Sequence, residues 1–202
     1  MAITSIKTGS SFTNLIKYND FLGPNPGYDP AAMWLIERKT LTASAATVVF
    51  SSIPSTYKHL QLRVMARSTR GSYYDEWRLR VNGDTGANYA HHRLWGTGSS
   101  ATASGGASAT SIDPLMPSTD AATPDSYTVG IIDIHDYAST TKNKTIRAFG
   151  GNDTNYTASN NGVVVLHSSL WQNTSAITSL TFSLAVSSYA EKSTFALYGM
   201  VG

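Results

Sequence analysis

The sequence contains no cysteine and little charge. Without cysteine there is no disulfide, no thiolate zinc site and no thiol nucleophile, so stability must come from packing and assembly. Asp, Glu, Lys and Arg make up only 14% of the chain, against about 25% in ordinary soluble domains. Ser, Thr and Asn take their place. A net charge of +2 is not the clustered basic field that nucleic acid requires, and no nucleic-acid partner is expected. No stretch approaches the ~18 apolar residues of a membrane helix, and residues 1–20 lack a continuous apolar segment of the signal-peptide kind, so neither membrane nor export is expected. Gly-X-Ser-X-Gly, P-loop, HExxH and EF-hand patterns are also missing. No enzyme, cofactor or metal site is therefore expected.

What is present is strand periodicity. Across residues 48–67 an apolar strand runs through a turn carrying Pro54 into a second strand, in which Leu60, Leu62, Val64 and Ala66 alternate with Gln61, Arg63, Met65 and Arg67. Successive strand side chains point to opposite faces, so one face is core and the other is wet. Proline lacks an N–H and belongs in the connection. The pattern predicts one corner of an antiparallel sandwich.

This stretch, with WLIERK at 34–39, NGDTGANYAHH at 82–92 and FALYGM at 195–200, resembles accessory virion proteins of tailed bacteriophages. The resemblance covers residues 12–100 and the last strand. It implies a small β-sandwich in a virion assembled in the bacterial cytoplasm, of the head-decorating or minor tail type, and none of its motifs marks a catalytic site.

Residues 1–32 differ from the rest. Phe12, Leu15, Ile16 and Leu22 fall near a helical period, with Tyr18 and Phe21 beside them. The segment 23–30, which contains Tyr28, holds three prolines and two glycines and ends any helix. We read an N-terminal arm and hinge, with Phe12, Leu15, Ile16, Tyr18, Phe21, Leu22 and Tyr28 as docking residues. The arm either engages a neighbouring subunit or host lattice or folds back on its own domain.

Residues 33–202 form the second unit, an all-β, jelly-roll-like sandwich. Strands are predicted at 34–40, 46–50, 59–67, 76–82, 89–95, 127–135, 145–149, 163–171, 177–186 and 194–201. In the ninth, Leu180, Phe182, Leu184 and Val186 face one way; the run Val163 to Leu166 predicts a strand buried on both faces, under the arm or against another subunit. Residues 96–125, rich in Gly, Ser, Ala and Thr, offer too little apolar surface to offset chain entropy, and their first half is expected to be a mobile loop.

Three groups invite chemistry. Asp84-Thr85-Gly86 matches the aspartic-protease signature, but that chemistry needs two carboxylates sharing a proton, and no second copy occurs. Asn82-Gly83 before it is a hairpin signal, with Asp84 closing the turn. His91 and His92 are adjacent on a strand and point to opposite faces; a metal or acid–base role for them, or for Asp133 and His135, needs convergence with His59 or His167. Among the aromatics, Trp77 shares a face with Leu79 and Val81 and reads as core, whereas Tyr73, Tyr74 and Trp95 are candidates for surface contact with a host glycan or a subunit.

The expected function is that of a phage structural protein that decorates or cements the capsid from outside as a symmetric oligomer, a homotrimer or another homo-oligomer, contacting major capsid or tail proteins. The alternative is a tail-associated or fibre protein that binds a host-surface carbohydrate.

Overall fold

The computed structural model describes residues 33–72, 75–119, 121–153 and 162–201. They form eleven strands: β1 (Met33–Thr40), β2 (Thr47–Phe50), β3 (His59–Ala66), β4 (Trp77–Val81), β5 (Tyr89–Gly96), β6 (Ala101–Ala109), β7 (Thr128–Ile134), β8 (Lys144–Asp153), β9 (Gly162–Trp171), β10 (Leu180–Leu184) and β11 (Thr194–Met200). There is no helix among the described residues. The strands build two antiparallel sheets, one of eight in the order β1-β11-β3-β7-β8-β9-β5-β6 and one of three in the order β2-β10-β4. This is an all-β sandwich.

Alternation explains the layers. Leu60, Leu62, Val64 and Ala66 of β3 are buried, as are Trp77, Leu79 and Val81 of β4 and Leu180, Phe182 and Leu184 of β10. Pro54 lies between β2, in the small sheet, and β3, in the large one, so residues 48–67 do turn a corner of the sandwich. At the centre the Trp77 ring meets Phe182 edge-on at 6.2 Å and Tyr189 at 5.5 Å. Such edge-to-face pairs add to the burial each ring already provides.

Four sequence expectations change. First, residues 101–109 are strand β6, hydrogen-bonded along β5. Their small polar side chains carry no alternation to read, so the pairing comes from the partner strand. Gly105 and Gly106 face His92 and His91, and an added Cβ would lie 2.6 Å and 3.1 Å from those rings. Nor are the residues after β6 loose. Ile112 exchanges two backbone hydrogen bonds with Leu79, Leu115 fills the hollow left by Gly130 and Gly150, and the buried Arg67 guanidinium donates to the carbonyls of Ala122, Thr123 and Ser126.

Second, Asn82-Gly83 makes a tight turn with positive φ at both residues, 51° and 69°, closed by Asp84 N–H donating to Val81 O at 2.9 Å. It joins no hairpin, because β4 belongs to the small sheet and β5 to the large one. Turn dihedrals are local, but pairing is decided by the fold. Third, the described residues cover Val163 to Leu166 on one face only: Val165 is buried while Val164 and Leu166 are 56% and 49% exposed, and the arm or second subunit expected over the other face lies outside them. Fourth, β10 ends at Leu184, and Val186 lies beyond it, exposed.

Candidate functional site

Asp84 sits directly after the tight turn, and its carboxylate is fully engaged. It accepts from Gly86 N–H at 2.8 Å, from Asn88 Nδ2 at 2.9 Å and from the Trp171 indole at 2.7 Å. The Trp171 hydrogen bond is the largest cause holding its pKa below the usual carboxylate range, followed by Asn88 and Gly86. A protease carboxylate must be able to share a proton; this one is tuned to stay ionised. Tyr89 completes the corner, its hydroxyl accepting from Val81 N–H and donating to Asp84 O. Asp84→Ala should cost about 2 kcal/mol, because the indole N–H of the buried Trp171 loses its acceptor. Urea unfolding followed by tryptophan fluorescence checks this, and an unchanged midpoint would show the corner to be held by other contacts.

The histidines converge in two separate pairs. His59 and His135 lie 4.7 Å apart between ring centroids, on the face opposite the buried Leu60 and Ile134. Asp133 is on that outer face too, paired with Arg147 at 2.8 Å and Gln61 at 2.9 Å. His91 and His167 lie on the inner face, stacked at 5.5 Å and 24°. His92, as expected, points away from His91, since the two rings stand over Gly105 and Gly106 on opposite faces.

The inner pair belongs to a polar cluster, buried at His167 and Ser169 and half-buried at His91, Arg93 and Asp113, that sequence reading does not assemble. His167 shares a hydrogen bond with Ser169 Oγ at 2.8 Å, while its Nε2 has no partner among the described residues. Burial, then His91 and Arg93, push its pKa down to about 3. Arg93 pairs with Asp113 at 2.6 Å and donates to Ser104 Oγ at 3.1 Å. Burial nevertheless raises Asp113 to about 7, against the pull of Arg93. The cluster holds two imidazoles and one carboxylate, and among the described residues no three metal-ligating side chains converge.

Trp95 lies beside this cluster. It pairs with the buried Val165 across β5 and β9, and the Arg93 guanidinium covers its ring at 4.7 Å. One stacking surface is therefore already used by a cation of the same chain. Tyr73 and Tyr74, and the arm residues Phe12, Leu15, Ile16, Tyr18, Phe21, Leu22 and Tyr28, lie outside the described residues.

The feature that sequence reading caught only in part, at Val163 to Leu166, is on the outer face of the eight-stranded sheet. Leu94, Leu166, Phe149 and Ile131 stand side by side across β5, β9, β8 and β7, and Arg63 of β3 extends the row. Two residues along the strands a second row runs Gly96, Val164, Gly151, Val129, Met65. The large side chains of both rows are exposed, Phe149 at 57% and Val129 at 56%. On the other flank lies a polar row of His92, Ser168, Arg147, Asp133 and Gln61. The exposures of the seven large apolar residues correspond to about 700 Å² of continuous apolar surface, above what a soluble monomer ordinarily leaves open.

No family model matches this chain, and neither a curated protein nor a solved structure does.

Proposed function

We propose that this chain is a structural protein of a tailed-phage virion, one that decorates or cements the capsid from outside as a symmetric homo-oligomer and has no catalysis of its own. The observation that carries the reading is the apolar outer face. A chain with only 14% charged residues that leaves two apolar rows open on its largest sheet suits a protein that functions in an assembly. The sequence resemblance supplies the virion setting, and the arm at 1–32 supplies a second contact, toward major capsid or tail proteins.

Quantitative mass spectrometry of purified particles tests the proposal. Decoration predicts a copy number within a few-fold of the major capsid protein. A copy number of a few per cent of that would move the protein to the tail and favour the carbohydrate-binding role, and absence from particles would end the virion reading.

A further inference from the structure

We propose that the outer face of the eight-stranded sheet is a two-fold interface, occupied by the same face of a second copy of this chain. The case rests on the pattern of large and small residues within the two rows. The first row presents Leu94, Leu166, Phe149 and Ile131; the second, in the same strand order, presents Gly96, Val164, Gly151 and Val129. A two-fold axis lying in the interface, parallel to the rows and midway between them, keeps the strand order and exchanges the rows. Phe149 of one copy then lies over Gly151 of the other, Leu94 over Gly96, Leu166 over Val164, Ile131 over Val129 and, at the β3 end of the rows, Arg63 over Met65. The largest ring meets a position with no side chain.

Gly151 is held as that gap by its own sheet. A Cβ there would stand 2.4 Å from Val163 O and 3.3 Å from the Val164 Cα, so backbone on β9 leaves no room for a larger residue. Interdigitation of large with small positions is how two sheet faces reach interior packing density at a separation of about 10 Å.

Area and charge agree with this occupant. About 700 Å² per copy is close to the ~800 Å² per partner of a standard stable interface. The rows span five strands, or about 19 Å across the sheet, so the contact is broad rather than a point of touch. At the polar flank Arg147 pairs with Asp133, and at the β3 edge of the rows the Arg63 guanidinium donates to Gln61 and lies over the Tyr198 ring, so charge stays at the margin of the face. The arrangement is an apolar centre with a polar rim. The inference needs only the geometry of the face; in the virion reading it supplies the contact that forms the oligomer, and the arm stays available for the capsid.

The test is the molar mass of the full chain in solution by light scattering after size exclusion, over a wide concentration range. The expected result is a species of twice the 21.6 kDa chain mass. Phe149→Asp should raise its dissociation constant about 100-fold, as loss of a central aromatic anchor does. Val186→Asp, at an exposed apolar residue outside the face, should leave it unchanged. A wild-type monomer overturns the proposal. So does a trimer, since a face-to-face contact closes at two copies, and so does a dimer that survives Phe149→Asp.

Because the chain has no cysteine, Leu166→Cys places a single thiol in the centre of the face and identifies the occupant. Maleimide labelling should be slow in concentrated protein and fast after dilution. Slow labelling at every concentration would make the chain's own N-terminal segment the occupant, and fast labelling at every concentration would mean an open face; either result overturns the two-fold contact. Both readouts are independent of particle copy number, so failure here and failure of the virion reading are separately visible.

Discussion

Lys144→Met should destabilise the protein by about 3 kcal/mol, the size expected for orphaning a set of buried acceptors. Lys144 opens β8 opposite Trp171 and is fully buried. Its ammonium donates to three backbone carbonyls, Ser139 at 2.8 Å, Lys142 at 2.7 Å and Thr174 at 3.0 Å, which uses all three N–H groups. Two of these carbonyls belong to the connection between β7 and β8 and the third to the connection after β9, so one side chain ties two loops to the strand between them.

Burial pulls the pKa of this lysine down, and Asp136 pulls it the other way. That burial cost would make a fully apolar replacement attractive if the partners could be replaced as well. They cannot, because they are main chain. Methionine keeps the length and flexibility of the stem, so its effect isolates the lost ammonium; alanine adds a cavity and should cost more. Urea midpoints of the two variants against wild type make the measurement, and a methionine variant as stable as wild type would show that the loops hold their own conformation.

The second large effect is in the pH dependence. His167 is neutral in the fold, with its pKa lowered from 6.5 to about 3. Below pH 6.5 the unfolded chain therefore takes up a proton that the native state refuses. Stability from this group falls as pH falls from 6.5 toward 3, by about 1.4 kcal/mol per pH unit. Asp113 has the opposite sign. Its pKa is raised from 3.8 to about 7, so over that window the native state holds a proton that the unfolded chain has released, and stability falls as pH rises. Between 3.8 and 6.5 the two slopes cancel.

Removing either group exposes the other. In Asp113→Asn the stability difference from wild type should grow more unfavourable by about 1.4 kcal/mol for each pH unit of acidification between 7 and 4. In His167→Gln the difference should run the other way, with acid relatively stabilising. His59, lowered mainly by burial, adds an acid-side loss that is common to wild type and variants and drops out of the difference, whereas His91, also lowered mainly by burial, is stacked on His167, so His167→Gln reports the pair. Parallel profiles for wild type and Asp113→Asn would show that Asp113 stays ionised beside Arg93.

Ten of the eleven strands were legible, β3, β4 and β10 because their apolar residues alternate at period two, and β9 because Val163 to Leu166 is an apolar run bounded by turn residues. β6 was not. Ala, Ser, Thr and Gly have no preference strong enough to display a face, and residues 101–109 become a strand because β5 offers a ladder and two histidine rings need glycines to lie against. The turn at Asn82-Gly83 was legible as a turn but not as a crossing between sheets, since the same dihedrals serve both.

The sites divide similarly. Asp84 as a turn carboxylate could be read from Asp84, Gly86 and Asn88, which are close in sequence; its hydrogen bond to Trp171 could not. The cluster of His91, His167, Arg93 and Asp113 joins β5, β9 and the segment after β6 through pairings that only the fold decides. The outer rows were half visible, for Val164 and Leu166 stood out as an apolar excess. Which side they faced, and that Phe149 and Ile131 stood next to them, depended on register.

The position of β11 has a consequence for synthesis. It lies between β1 and β3, two strands made much earlier that touch each other nowhere in the sheet order. Until residues 194–200 leave the ribosome, β1 has no strand partner among the described residues and β3 has one edge open, so this part of the sheet cannot close earlier. Long-range pairing of this kind is slow and leaves strand edges exposed while it waits. Until β11 arrives the edge is open, and what guards it are the charges of Glu37, Arg38 and Lys39 on β1 and Arg63 on β3.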